Sequence, residues 1–167
     1  RILLPSLAAS DFSHGSRKGS SIKTNAEPHR HSQFVYKTDI SDFFPSIHDK
    51  RVYRLFLKEL GCPPKVAELC SRLCTHSHHL ALGLTTSPIL ADHILSLSVD
   101  ARIAAACKSA GLIYTRYVDD VTISGPFNLN RDKAGFAALV SRILREHGFA
   151  AKESKCESDR NGNVAIT

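Results

Sequence analysis

Apolar residues recur along the chain with two different periods, which separate strands from helices. Residues 34–40 and 112–125 are short runs rich in β-branched and aromatic residues, and such runs are typical of strands. The second run is interrupted by Asp119-Asp120, so it predicts a hairpin with strands at 112–117 and 121–125. Further short strands are expected around 149–151 and 163–167.

The segments between these strands carry apolar residues at helical spacing. Ser46 with Asp49 resembles a capping box, and the helix that follows is expected to end at Gly61. Pro63-Pro64 opens a second helix, to about residue 74. A long helix begins with Ser87 as N-cap and runs to about residue 107, and another covers about 131–147.

Strands that alternate with helices and include a hairpin predict an α+β fold, an antiparallel sheet with helices on one face. A chain of 167 residues with 43% hydrophobic content is long enough for one domain with its own core. Residues 1–33 are polar without a sustained period, so loops and short helical pieces are expected there, and 76–86 is expected to be a loop.

Three acidic residues lie where strands end. Asp119 and Asp120 occupy the predicted hairpin tip, and Asp39 lies near the end of the strand at 34–40. Adjacent carboxylates repel each other unless a cation lies between them. Three carboxylates brought together from two strand ends suit a pair of hard divalent cations that bridge substrate phosphates. The alternative for each acid is an N-cap or a solvated turn.

The net charge indicates what kind of partner the chain binds, and the cysteines indicate its redox environment. The net charge of +6 favours an anionic partner, and basic residues and histidines are concentrated in the N-terminal fifth. That segment is either a solvated loop or a surface that follows phosphates. Five cysteines at irregular positions do not indicate a disulfide framework, which favours a reducing cytoplasm.

A zinc cluster is the alternative interpretation of the cysteines and histidines between 70 and 79. Cys70 and Cys74, however, lie on the same predicted helical stripe as three apolar residues, Val66, Leu69 and Leu73. That stripe predicts core packing for both cysteines, and no second ligand pair has zinc-finger spacing. The sequence has no signal peptide and no apolar run long enough to span a bilayer.

Several ordered motifs resemble those of the reverse transcriptases, the bacterial retron-type branch in particular. The three palm motifs of that family resemble residues 38–47 (TDISDFFPSI), 83–90 (GLTTSPIL) and 117–120 (YVDD). Gly148-Phe149 with Lys155 resembles a fourth motif, and residues 25–29 (NAEPH) resemble the retron signature Asn-Ala-x-x-His. The resemblance covers nearly the whole chain.

The resemblance implies a right-hand polymerase palm, a ferredoxin-like βαββαβ antiparallel sheet with helices on one face, plus part of the fingers. Residues 1–33 would be the partial fingers segment and 34–167 the palm domain. Because Arg1 begins in mid-pattern and Thr167 ends on an unfinished strand, we expect a piece of a longer protein, with upstream fingers and a downstream thumb outside this chain.

The family also implies roles for individual residues. The catalytic carboxylates would be Asp39, Asp119 and Asp120, and the carbonyl of Ile40 would be a backbone ligand in a site for two Mg²⁺ ions, with Mn²⁺ as the alternative. Lys155 matches a lysine that protonates departing pyrophosphate; an exposed lysine without a role is the alternative.

The remaining implied roles concern the nucleotide and the nucleic acid. Phe44 matches the aromatic residue that excludes a ribose 2′-hydroxyl, although a core role is the alternative for Phe43-Phe44. The nucleotide-binding residues would be Asp42, Phe43, Phe44 and Gly83, and the primer and template contacts would be Tyr117, Arg17 and Lys18.

The chain departs from the family pattern at several positions. Leu82 replaces the glutamine of a usual Pro-Gln-Gly, which puts nucleotide affinity or fidelity in question. Asp92 stands where Asn is common and would add negative charge near the template-facing helix. Ser16 and Ser20 replace an expected Phe and Arg of the finger segment.

The resemblance therefore implies an RNA-directed DNA polymerase that uses dNTPs, an RNA template and a DNA or RNA primer, located in a bacterial cytoplasm. Two alternatives remain: untemplated or protein-primed DNA synthesis, as in phage-defence relatives of this family, and a catalytically silent RNA-binding palm module. The sequence does not determine the oligomeric state.

Overall fold

The structure, a computed structural model, describes residues 10–125 and 133–152. Its strands are β1 (Phe34–Ser41), β2 (Thr75–His76), β3 (His79–Leu80), β4 (Ile113–Tyr117), β5 (Asp120–Gly125) and β6 (Ala150–Ala151). Its helices are α1 (Ile22–Ala26), α2 (Asp49–Arg54), α3 (Pro64–Cys74), α4 (Ser87–Leu95), α5 (Ala101–Ser109) and α6 (Lys133–Glu146). A 3₁₀ turn at Glu27–His29 follows α1, and π-helical turns follow α2 (Leu55–Glu59) and join α4 to α5 (Ser96–Asp100). The predicted α+β class is confirmed.

Four strands form the main antiparallel sheet in the order β4-β5-β1-β6. The central strand β1 pairs with β5 from Phe34 opposite Gly125 to Asp39 opposite Asp120, and its C-terminal end pairs with β6. The hairpin of β4 and β5 confirms the hairpin predicted from the interrupted apolar run. β2 and β3 form a separate two-stranded hairpin within the segment expected to be a loop.

The core lies between this sheet and the helices. From the strands, Tyr36, Ile40, Val121 and Ile123 are almost completely buried, and helix residues including Leu95, Val99, Ile103 and Leu144 are buried with them in one cluster. Each large aliphatic side chain removed from water contributes roughly 1.5–3 kcal/mol. The core therefore fixes the strand ends that carry the acidic residues.

The predicted capping box at the start of α2 does not form. The Ser46 hydroxyl donates to the carbonyl of Asp42 at 2.8 Å, and the N-cap position of α2 is His48 without a side-chain cap bond. The turn 42–46 is closed by the Ser46 amide as well, so this hydroxyl is used one turn before the helix. The predicted end of the helix is confirmed, because Gly61 has a positive φ of 63°.

The prediction that the apolar stripe of α3 faces the core was wrong. Val66, Leu69 and Leu73 are 45%, 58% and 71% exposed, whereas Ala67, Ser71 and Cys74 face the core. Small side chains let α3 approach α2 closely, and the Ser71 hydroxyl donates to the Asp49 carbonyl at 3.0 Å. Cys74 is buried as expected, but Cys70 is only half-buried.

The long helix predicted from residue 87 is confirmed as α4, a π-helical turn and α5 in succession. Its N-cap position is Thr86 rather than Ser87, and Thr86 makes no side-chain cap bond; the Ser87 hydroxyl donates to the carbonyl of Ala81. No helix within the described ranges is long and apolar enough to cross a membrane. The strand expected around 163–167 lies outside the described residues.

Candidate active site

The end of β1 and the start of β5 bring two acidic side chains together. Asp39 and Asp120 are direct partners in the antiparallel register, which places both side chains on the same face of the sheet. Beside them, the amide of Ile40 donates to the carbonyl of Asp119 at 3.0 Å. Acids from distant parts of the sequence therefore meet at one edge of the sheet, as the strand pattern predicted for Asp39 and Asp120.

Burial and the neighbouring acids raise the pKa of Asp120. Its pKa is raised to about 7, first by burial, then by a hydrogen bond with Asp39 and by the negative charges of Asp39 and Asp119. Lys37 opposes this shift only in part. A cation between the carboxylates stabilises the charged pair, so the donor chemistry of these oxygens fits a hard divalent ion.

Asp119 is close enough to influence Asp120 by its charge, but the three acids are not gathered around one point. Within residues 10–125 and 133–152, no group of three or more His, Cys, Asp or Glu side chains is positioned to hold a metal ion. The observed contact of Asp119 with β1 is made by its backbone carbonyl. The three-carboxylate metal site therefore stays a prediction.

Two phenylalanines, Phe43 and Phe44, come shortly after strand β1 in the sequence. Phe43 is buried, with its ring centroid 6.4 Å from that of Phe149, whereas Phe44 is half-buried. Their own ring centroids are 5.1 Å apart and inclined by 58°. Asp42 precedes them with a positive φ of 45° and is exposed. Phe43 is thus part of the core, and Phe44 is the aromatic residue whose ring remains partly accessible.

The other residues predicted to contact the nucleotide, primer or template differ in how exposed they are. Gly83 is exposed with φ of 93°, and no atom lies within 4 Å of the Cβ that another residue would add. The Arg17 guanidinium donates to the carbonyl of Ser13 at 2.9 Å and to that of Ser10, so it is partly engaged in its own loop. Lys18 is exposed, and Tyr117 is half-buried opposite Asp120. Lys155 lies outside the described residues.

Two histidines of the zinc cluster that was the alternative interpretation make other contacts. His78 is 2.7 Å from a carboxylate oxygen of Asp49, and the His79 ring bonds the carbonyl of Pro45. The pKa of the Cys74 thiol is raised, chiefly by burial, which disfavours the thiolate that zinc requires.

Comparison with known proteins decides the family. The model of the family described as "Reverse transcriptase (RNA-dependent DNA polymerase)" matches residues 2–160. The chain belongs to the reverse transcriptase family. It is 40% identical over 124 residues to the retron Ec86 reverse transcriptase of Escherichia coli, an alignment that covers 74% of this chain and 38% of the relative.

A second relative gives the same result over nearly the whole chain. The retron Mx65 reverse transcriptase of Myxococcus xanthus is 34% identical over 181 residues, covering 98% of this chain and 42% of that protein. The resemblance to bacterial retron-type reverse transcriptases is therefore confirmed. The chain spans less than half the length of these two curated relatives.

Sequence reasoning missed a buried ionic network behind the carboxylates of this reverse transcriptase chain. Arg116 is completely buried and forms ion pairs with Asp92 at 2.9 Å and Asp100 at 2.8 Å. Asp92 is only 5% exposed, so its charge is neutralised inside the protein and is not presented to a template, contrary to expectation. One signal in the sequence could have revealed the burial of Arg116. Arg116 lies two residues after Tyr114 on the same predicted strand, so both side chains point to the same face of the sheet, and both are buried.

The retron signature at 25–29 also has a structural role that the sequence did not reveal. His29 is buried, and its two ring nitrogens lie 2.5 Å from the Ser124 hydroxyl and 2.7 Å from the Thr115 hydroxyl. Asn25 is buried as well, and its backbone carbonyl accepts a hydrogen bond from the Thr115 hydroxyl. This segment therefore joins α1 and the following turn to both strands of the hairpin that carries Asp119 and Asp120.

Proposed function

We propose that this chain is the palm region of an RNA-directed DNA polymerase that transfers deoxynucleotides onto a primer 3′-hydroxyl by two-metal catalysis. The observation that carries the proposal is the direct cross-strand pairing of Asp39 with Asp120 in a chain of the reverse transcriptase family. These are the positions where the family motifs require two of the three catalytic carboxylates.

The strand order supports the ferredoxin-like palm. In chain order, β1, β4, β5 and β6 are the four strands of a βαββαβ unit, and their spatial order of β6-β1-β5-β4 with antiparallel pairing matches that topology. The α4–α5 helical segment precedes the hairpin and α6 follows it, as the unit requires. Residues 34–167 would form this palm, and 1–33 would contribute part of the fingers.

The metal-binding residues would be Asp39, Asp119 and Asp120 with the carbonyl of Ile40. When bound, two Mg²⁺ or Mn²⁺ ions would activate the primer hydroxyl and stabilise charge on the leaving pyrophosphate. The protein's contribution is to hold the oxygen donors on one edge of a rigid sheet. The raised pKa of Asp120, caused first by burial and then by Asp39 and Asp119, supports this role, because a bound cation would stabilise the charged carboxylates.

Binding of the incoming nucleotide would fall to the segment after β1. The backbone amides of Asp42 and Phe43 would face the triphosphate, and the half-buried Phe44 ring would exclude a ribose 2′-hydroxyl. Gly83 lies in open space and leaves room for a base or template to approach its backbone.

Primer and template contacts would come from Tyr117 and the basic N-terminal segment. Lys18 is exposed and can reach a phosphate, whereas Arg17 would first have to release the carbonyls it now binds. Lys155 would serve as the proton donor to pyrophosphate.

Deoxynucleotide incorporation by the full-length protein that carries this chain tests the proposal. We expect RNA-templated product that requires a divalent ion and disappears in Asp119→Ala. Glu68→Ala is the matched control, because Glu68 is an exposed acid on α3. Its activity should equal that of the parent protein.

The same assay separates the two alternatives. Product formed without any template would favour untemplated synthesis, which the exposed Leu82 makes a specific alternative because leucine cannot donate the hydrogen bond expected of glutamine. No product under any condition, from a folded protein that still binds RNA, would support a silent binding module.

A further inference from the structure

The guanidinium of Arg116 is completely buried, and each of its nitrogens has a partner. Its Nε and Nη2 donate to the two oxygens of Asp100 at 2.9 Å and 2.8 Å, and Nη2 also donates to Asp92 at 2.9 Å. The remaining nitrogen, Nη1, donates to the carbonyl of Val118 at 2.7 Å. Because the guanidinium is a rigid planar fork, fixing three of these bonds also fixes the direction of the fourth.

The acceptor of that fourth bond is Val118, the residue immediately before Asp119 and Asp120. Val118 has a positive φ of 57°, a conformation that β-branched residues rarely adopt. A strained conformation persists only where surrounding contacts hold it. The bond from Arg116 is such a contact, and it links the turn to helix α4 through Asp92 and to the following π-helical turn through Asp100.

A second support lies on the N-terminal segment Phe12–Gly15. The Arg116 amide donates to the Phe12 carbonyl at 2.8 Å, and the Arg116 carbonyl accepts from the His14 amide at 2.8 Å. The Ser13 hydroxyl donates to the Asp92 carboxylate that also pairs with Arg116. This segment therefore pairs with β4 and joins the same ionic network.

Gly15 brings that segment against the turn itself. A Cβ at this position would lie 2.6 Å from the Val118 amide nitrogen and 2.8 Å from Val118 Cγ2, closer than real contacts allow. Gly15 is buried, and its φ is not positive. The close approach, rather than an unusual backbone angle, therefore requires glycine here.

We propose that Arg116 is a positioning residue that holds the Val118–Asp119 turn in its strained conformation, with the segment Phe12–Gly15 as the second support. This inference rests on the proposed function for its catalytic meaning, since two of the proposed metal ligands are Asp119 in this turn and Asp120 directly after it. A buried ion pair that only fastened β4 to the helices would not need the bond to Val118.

Arg116→Lys separates positioning from charge balance. Lysine keeps a positive charge next to Asp92 and Asp100, but a single ammonium cannot also reach the Val118 carbonyl in the same geometry. In the folded variant we expect faster amide hydrogen exchange across residues 117–120. In the full-length protein we expect kcat to fall by about a hundredfold with little change in KM for primer–template.

Gly15→Ala tests the second support without removing a buried charge, so it carries the test if Arg116→Lys does not fold. The added methyl group must displace the turn, and we expect the same increase in exchange at 117–120 and the same selective fall in kcat. Gly135→Ala is the matched control, because a Cβ there meets nothing within 4 Å and φ is not positive. It should leave both readouts unchanged.

The exchange measurement requires no metal or substrate, so the two failures can be told apart. If the parent protein makes no DNA, the proposed function fails, and exchange in the turn still tests the positioning. If the parent protein makes DNA, and the folded Arg116→Lys and Gly15→Ala variants match it in both exchange and kcat, the positioning role is overturned.

Discussion

Asp39 and Asp120 face each other across the β1–β5 pair, and the amide of Ile40 bonds the carbonyl of Asp119 beside them. Like charges directly opposite on neighbouring strands are destabilising, so this edge of the sheet costs stability in the absence of a cation. Such an arrangement is expected where a site is built for a function at the expense of the fold.

Replacing Asp120 by Asn should relieve that repulsion. At pH 8, without divalent ions, we expect the free energy of unfolding to rise by roughly 0.2–1 kcal/mol, the range for a cross-strand charge pair. Because the folded state raises the pKa of Asp120 from 3.8 to about 7, it retains a proton that the unfolded state loses. The free energy of unfolding of the parent therefore falls progressively as pH rises from about 4 to about 7. Asp120→Asn has no carboxyl at this position, so its stability should not show this decrease.

Urea unfolding at several pH values, with and without Mg²⁺, measures this effect. Mg²⁺ should stabilise the parent chain and have a much smaller effect on Asp120→Asn. Glu68→Gln, an exposed acid on α3, should behave like the parent in both respects. Equal stabilisation of the parent and Asp120→Asn by Mg²⁺ would mean that the ion acts elsewhere.

The strands could be predicted from sequence because their signals are local. Runs rich in β-branched and aromatic residues at 34–40 and 112–125 favour strands over helices. The interruption of the second run by Asp119-Asp120 favours a hairpin. The positions of the acids at strand ends, together with the family motifs, predicted that Asp39 would meet the Asp119-Asp120 pair, and the structure places Asp39 opposite Asp120.

The errors arose where tertiary contacts outweighed local patterns. The leucines of α3 have helical spacing, but small residues on the opposite face allow closer packing against α2, so Leu69 and Leu73 remain exposed. Likewise, no local signal shows that Arg116 meets Asp92 and Asp100, because these partners come from helical segments elsewhere in the chain.

His29 should make the fold sensitive to acid. Burial, followed by the positive charges of His14 and Lys37, lowers the pKa of His29 from 6.5 to about 4. Between these pH values the unfolded chain binds a proton that the folded chain excludes, so stability falls as pH decreases from about 6.5 to about 4. The shift corresponds to a loss of roughly 3 kcal/mol across that window.

Urea unfolding of His29→Gln at pH 7.5, 6 and 5 checks this sign. The variant should be less stable than the parent at pH 7.5, because hydrogen bonds to Ser124 and Thr115 are disrupted, and the difference should shrink as pH falls. His31→Gln, an exposed histidine nearby, is the control. A difference that stays constant with pH would contradict the neutral, buried state of His29.

Phe44 should determine the choice between sugars. Its ring is half-buried against Phe43, so Phe44→Ala opens space without emptying the core. We expect the ratio of ribonucleotide to deoxynucleotide incorporation, measured as kcat/KM in the full-length protein, to rise by roughly tenfold or more. Phe136→Ala, a half-buried phenylalanine on α6, should leave the ratio unchanged. An unaltered ratio in an active Phe44→Ala protein would remove the steric role.

Leu82 offers a gain-of-function test of the departure from the family pattern. Its side chain is 82% exposed, so Leu82→Gln should change the free energy of unfolding by less than about 0.5 kcal/mol. Glutamine restores a hydrogen-bonding group beside Gly83, and we expect the KM for deoxynucleotides to fall several-fold in the full-length protein, roughly the value of one neutral hydrogen bond. Leu73→Gln, 71% exposed on α3, should leave KM unchanged. If KM for deoxynucleotides is the same in Leu82→Gln and the parent protein, residue 82 does not contact the incoming nucleotide.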